Sequence, residues 1–214
     1  MKKGNSERCP LCEARKPKRF CPAKGAGICS VCCGTKREVE IDCPSDCIYL
    51  RSGREYESRR TLPPGQEAQR TERLWQDEFI LSHTGIFVKM WGSIISVRRQ
   101  FPEIVDSDLQ SAVESLIQTY QTLDKGIYYE TLPAKSLQKE FYLALKSVFE
   151  SAERESELSR LKTGTILDCL NFHKEMGQAM VFSRPKSRAF LDRIEEMYRS
   201  SASNPVEEPR IVTP

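Results

Sequence analysis

Eight of the nine cysteines in this chain fall between Cys9 and Cys47, and the ninth, Cys169, stands alone. Their order is Cys9-x2-Cys12, then Cys21, then Cys29-x2-Cys32-Cys33, then Cys43-x3-Cys47. Cysteine at this density serves either a disulfide frame or a metal site. No run within the 214 residues approaches the roughly 18 consecutive apolar residues of a membrane span, and no apolar stretch follows Lys2 and Lys3. A cytoplasmic chain without membrane association is therefore expected, in a compartment that keeps thiols reduced. There the cluster reads as a metal site rather than as a set of disulfides.

Spacing divides the ligands. Sixteen residues separate the two C-x2-C turns, within the C-x2-C-x(15 to 20)-C-x2-C range of structural zinc. A tight turn aims two thiolates at one ion and leaves backbone N–H groups free to bond sulfur, so two turns complete a tetrahedron. Cys9, Cys12, Cys29 and Cys32 are assigned to this first site. Cys32 and Cys33 are neighbours, whose side chains diverge in extended chain and so serve different ions. The second site then takes Cys21, Cys33, Cys43 and Cys47. Cys43-Pro44-Ser45-Asp46-Cys47 reads as a helix start, with Cys43 as N-cap and Pro44 at the first helical position. That places Cys43 and Cys47 one turn apart near the positive end of a helix dipole.

A segment of about 40 residues with so few apolar side chains cannot fold by burial alone, whereas zinc binding contributes on the order of 10 to 16 kcal/mol. Two zinc ions are thus the expected cofactor. Four thiolates leave no open position for water, so the role predicted is structural and not catalytic. An iron-sulfur cluster is the alternative on the same cysteines, although the C-x2-C-x2-C runs typical of such clusters are missing.

The succession of C-x2-C, a lone Cys21 after aromatic Phe20, a second C-x2-C and a C-x3-C resembles the two-zinc, cross-braced fingers of the HIT, MYND and B-box kinds. It covers about 40 of the 214 residues and differs in lacking a His ligand and in the Cys32-Cys33 doublet. The resemblance implies a small rigid module that mediates protein contacts.

Charge marks a second division. Residues 1–60 hold 14 Lys and Arg against 8 Asp and Glu, while residues 61–214 hold 19 against 22. Eight thiolates on two divalent ions would cancel most of the excess, so a nucleic-acid face requires Lys16, Lys18, Arg19, Lys24, Lys36 and Arg37 to gather on one side. Thr61-Leu62-Pro63-Pro64-Gly65-Gln66 is a breaker. The expected organisation is a mostly α protein: a Cys-rich zinc-finger head over 1–60, a linker at 61–66, an all-α bundle of five or six helices over 67–200, and a disordered tail from 201.

Leu109, Val113, Leu116, Ile117, Tyr120 and Leu123 recur at helical spacing, with Asp106 as the expected N-cap and Gly126 as the stop. Leu137, Phe141, Leu145, Val148 and Phe149 mark another helix. Phe190, Leu191, Ile194, Met197 and Tyr198 mark the last, with Ser187 as its N-cap. Weaker segments run over 68–81, 85–100 and 165–180. His83 and His173 read as surface or core residues and Cys169 as an inert buried thiol. Ile127-Tyr128-Tyr129 is an aromatic turn that either packs between helices or forms a surface. Arg184, Lys186, Arg188 and Arg193 either contact phosphate or line a solvated helix start.

No residue nominates itself for catalysis. The function expected is a non-enzymatic, zinc-binding interaction or regulatory protein with a helical partner-binding or dimerisation domain. A nucleic-acid-binding protein with Phe20 as a stacking residue is the first alternative, and a thiol or zinc redox sensor is the other.

Overall fold

The computed structural model describes residues 8–61, 77–155, 161–180 and 184–203. It divides into two compact units, one of Met1–Arg73 with Val181–Arg188 and one of Leu74–Met180 with Ala189–Pro214. The chain is mostly α, a Cys-rich head preceding helices as the sequence leads one to expect. Residues 62–66 of the expected linker and 204–214 of the expected tail lie outside the described residues.

The head opens with a hairpin of β1 (Arg19–Cys21) and β2 (Ala26–Ile28), antiparallel, with Phe20 opposite Gly27. A single 3-10 turn, Pro22–Lys24, joins the strands, and Gly25 closes it at φ +60. Three residues per strand are too few to show period-two alternation, so the hairpin escapes a pattern search. Its inward face is nevertheless clear, since Cys21 and Ile28 are buried while Phe20 is exposed. Two helices follow, α1 (Ser30–Lys36) and α2 (Ile48–Thr61).

One expectation is corrected here. Cys43 and Pro44 do not start a helix: the Cys47 N–H bonds the Pro44 carbonyl at 3.0 Å in a separate turn, and α2 begins only at Ile48. Pro44 lacks an N–H but its carbonyl is free to close that turn, which places Cys47 alone at the helix entrance. There the Cys47 carbonyl accepts from Leu50 and Arg51, both at 3.0 Å.

Residues 184–188 belong to the head although they lie late in the chain. They run beside residues 38–42 with a constant offset of 146 positions, so Arg184 meets Glu38, Lys186 reaches the Glu40 carbonyl and Arg188 meets Asp42. The Lys186 N–H also donates to the Glu38 carbonyl at 2.8 Å. Glu38 is fully buried at φ +56 and is held by both Arg54 and Arg184, with Arg184 also paired to Glu57 at 2.6 Å. These contacts fix a non-glycine residue in the left-handed region, where L side chains rarely settle. The basic residues at 184, 186 and 188 therefore serve the head internally and offer no phosphate site.

The second unit holds α3 (Asp77–Ser82), α4 (Thr84–Gln100), α5 (Asp106–Asp124), α6 (Ser136–Glu155), α7 (Thr163–Met180) and α8 (Ala189–Ser203). Helix α5 packs along α6 and α7, and α4 packs against α6 and α8. The stripe foreseen on α5 is the stripe that is buried: Leu109, Val113, Leu116, Ile117 and Tyr120 all lie inside. Phe141, Leu145 and Phe149 on α6 and Phe190, Leu191, Ile194 and Met197 on α8 do likewise. Side chains returning every three or four residues form one face of a helix, and burial of that face holds the bundle.

Helix caps depart from expectation. Asp106 is the first residue of α5 and not its cap, and its carboxylate accepts the N–H groups of Phe190 and Leu191 at 3.2 and 3.1 Å. It thus caps α8 from another helix, the role expected of Ser187. A carboxylate between two helix N-termini meets two favourable dipoles and the orphan N–H groups of one of them. The entrance of α5 is served instead by Asp108, which accepts from the Val105 N–H at 3.3 Å.

Candidate metal centre

Each half of the Cys9, Cys12, Cys29 and Cys32 group is shaped by its own backbone. In the first turn Cys12 and Glu13 both donate to the Cys9 carbonyl, at 3.3 and 2.7 Å, and Glu13 takes φ +52 to reverse the chain. Backbone N–H groups of Ala14 and Arg15 then point at the Cys12 sulfur and hold its pKa down at about 6. The second turn is a helix start. Cys29 is the N-cap of α1, and its sulfur accepts the Cys32 N–H at 3.3 Å, which lowers the Cys29 pKa as well. The helix N-terminus expected at Cys43 is thus found at Cys29, where thiolate and dipole match.

The four sulfurs come together within 4.8 Å of one another, with Cys12 and Cys29 at 3.9 Å. A zinc ion with sulfur bonds of about 2.3 Å spans a tetrahedron whose edges are about 3.8 Å. The observed span is up to about 1 Å wider than that edge, so the group could hold a single ion of that kind once its side chains close in slightly. Cys9, Cys29 and Cys32 are buried and Cys12 is half-buried, and all nine cysteines are free of disulfides. Burial pushes the Cys32 thiol up to about 12, so a divalent cation is what would make all four thiolates at once. Arg15 offsets part of that charge, its guanidinium bonding the Cys29 sulfur with Cys12 close by.

The other four cysteines are gathered less tightly. Cys21 and Cys43 are buried in the same small core as the first group, and Cys33 and Cys47 pack against it. Burial raises the Cys43 pKa, with Cys47 and Cys21 near enough to add to the effect. Arg19 donates to the Cys33 sulfur at 3.5 Å and lays its guanidinium 4.8 Å from the Tyr49 ring. Among the described residues the first four are the group compact enough to hold an ion. Cys32 and Cys33 do diverge, but because they are consecutive in a helix, about 100° apart around its axis, and not because the chain is extended.

The basic residues do not gather as a set of six. Lys36 pairs with Glu40 at 2.7 Å, Arg37 donates to the Tyr49 carbonyl over Gly53, and Arg19 turns inward to sulfur. A Cβ on Gly53 would overlap the Arg37 guanidinium, so this close approach needs glycine. Missed by sequence reasoning were the partners of 184–188. Their signal was present as two alternating triplets, acidic at 38, 40 and 42 and basic at 184, 186 and 188.

Cys169 and His173 lie buried in the helical core. Trp91 Nε1 donates to His173 Nε2 at 3.1 Å, which leaves the Nδ1 proton to the Cys169 carbonyl at 2.9 Å. Burial holds the His173 pKa down at about 4 and pushes the Cys169 thiol up to about 12. His83 sits at the junction of α3 and α4, with Nδ1 2.9 Å from the Phe79 carbonyl. No family model, no curated protein and no solved structure matches the chain. No helix among the described residues is long and apolar enough to cross a membrane.

Proposed function

We propose that the protein is a non-enzymatic, zinc-stabilised interaction protein whose Cys9, Cys12, Cys29 and Cys32 hold a structural zinc ion. The observation that carries this reading is the group of four sulfurs within 4.8 Å, mostly buried, in a unit whose other buried apolar residues are Ile28, Ile41 and Leu50. Four thiolates close the coordination sphere, so a bound ion has no position for substrate or activated water. A cubane iron-sulfur cluster distributes its four cysteine sulfurs around a cage of eight atoms, wider than a single ion requires.

A second zinc ion on Cys21, Cys33, Cys43 and Cys47 completes the proposal, drawing together side chains that already share one core. The resemblance to cross-braced fingers supports a contact-making module, and thiols free of disulfides suit a cytoplasmic location. The helical unit supplies a second contact surface at Ile127, Tyr128, Tyr129 and Leu132, all exposed. Lys146 links that turn to α6 by bonding both Tyr128 and Glu130.

Metal analysis of protein purified without chelator or thiol tests the reading. Two zinc ions per chain are expected. One ion leaves the second quartet outside the proposal, iron replaces zinc in it, and a chain folded without metal refutes it.

A further inference from the structure

The outer face of the β1–β2 hairpin carries an arrangement that no metal requires. Phe20 is 64% exposed, and its cross-strand neighbour Gly27 has no side chain. Pro17 lies against that glycine, close enough to meet a Cβ at 3.1 Å, so proline and bare backbone stand opposite Phe20. Alternation along the strand puts Lys18 on the same face as Phe20, and its N–H continues the ladder by donating to the Ile28 carbonyl at 2.9 Å. Lys16 precedes it and Lys24 stands at the hairpin tip, both exposed.

Charge is sorted within the head. Glu38, Glu40, Asp42 and Glu57 are engaged by Arg54, Lys36, Arg188 and Arg184, while the acids Glu13 and Asp46 lie outside the hairpin. Arg15 and Arg19 face sulfur. Lys16, Lys18 and Lys24 make no ion pair with a described residue, and the hairpin from Arg19 to Ile28 contains no acid. What remains of the six basic residues is three exposed lysines without an ion pair among the described residues, Lys18 on the face of Phe20, Lys16 before the strand and Lys24 at the hairpin tip.

We propose that this hairpin face binds single-stranded nucleic acid, a base stacking on Phe20 while Lys16, Lys18 and Lys24 meet phosphates. An exposed ring offers a planar base a stacking surface, whereas an acidic peptide would use the lysines and leave the ring idle. Three phosphate contacts predict a salt slope near −2 on logarithmic axes, or about a twentyfold loss of affinity from 50 to 200 mM salt. The inference rests on the metal-held reading of the head, since the hairpin carries Cys21 and precedes Cys29.

Fluorescence anisotropy of the full chain with labelled oligo(dT) and oligo(U) 15-mers, a 15-bp duplex and a poly-glutamate peptide tests it, with zinc content measured on each sample. Both single strands are expected to bind with that salt dependence. Phe20→Ala weakens binding roughly 5- to 150-fold at unchanged zinc content, and Lys18→Gln weakens it less. Duplex or poly-glutamate binding as tight as the single strands overturns the proposal, and so does a Phe20→Ala protein that binds like the parent. Zinc-loaded protein that ignores both single strands overturns it while leaving the metal reading in place. Protein that lacks zinc yet loses binding on Phe20→Ala supports the surface and refutes the metal reading.

Discussion

The head and the helical unit reach a buried core by different chemistry. Among the described residues of the helical unit 26 buried ones form one cluster, of which Cys169 is the single cysteine, and the rest are aliphatic, aromatic or Met side chains. In the head eight residues form the cluster, and five of them are cysteines. Removing apolar surface from water stabilises the first at about 25 cal/mol per Å², while the second has three aliphatic side chains to offer that effect. What a domain cannot gain from hydrophobic burial it must take from bonds, here the ion pairs around Glu38 and, on the proposed reading, metal–sulfur bonds.

The sharpest test of that contrast is metal removal. Chelation, or Cys32→Ser, is expected to remove on the order of 10 kcal/mol from the head and to collapse its amide NMR dispersion, while the helical signal of the second unit persists. A head that stays ordered without metal would break the comparison. The converse is Phe141→Ala, which leaves a cavity in the helical core and costs about 3 to 5 kcal/mol by denaturant unfolding with zinc content unchanged.

Between these extremes lies Glu38→Ala, which leaves Arg54 and Arg184 facing an empty site and costs about 3 kcal/mol in the head. Hydrogen exchange that loosens at residues 37–42 and 184–188 together would confirm their mutual dependence. His173 gives the helical unit a pH response. Its folded pKa lies at about 4, below the ordinary value of 6.5, so the unfolded chain takes up a proton that the folded one refuses. Stability is therefore full above pH 6.5 and declines as pH falls toward 4, by about 2 to 3 kcal/mol, and His173→Gln should flatten the decline in urea titrations. The smallest effect belongs to Cys169→Ala, which costs about 1 kcal/mol and releases no metal, measured by zinc-dye assay.

Local patterns reached the structure where the causes were local. The stripe Leu109 to Leu123 and the pair of C-x2-C turns encode a helix and a four-cysteine group in short stretches of chain, and both are present. What stayed hidden was settled by partners far away in sequence. Asp106 reads as a cap for the helix it begins, yet it caps a helix 84 positions later because both termini meet there. Arg184 and Arg188 read equally as phosphate contacts or as a solvated helix start until acids 146 positions earlier are set beside them. The aromatic turn at Tyr128 and Tyr129 allowed two readings, and the structure leaves both rings exposed.

The late segment at 184–188 also bears on how the protein is made. Its partners at 38–42 leave the ribosome 146 residues earlier, so a nascent head gains its C-x2-C turns and the Arg54 partner of Glu38 long before it gains Arg184 and Arg188. At roughly 5 to 20 residues per second that interval lasts about 7 to 30 s. During it the head lacks the three positive charges of Arg184, Lys186 and Arg188, and its surface at birth is therefore more anionic than the one it keeps.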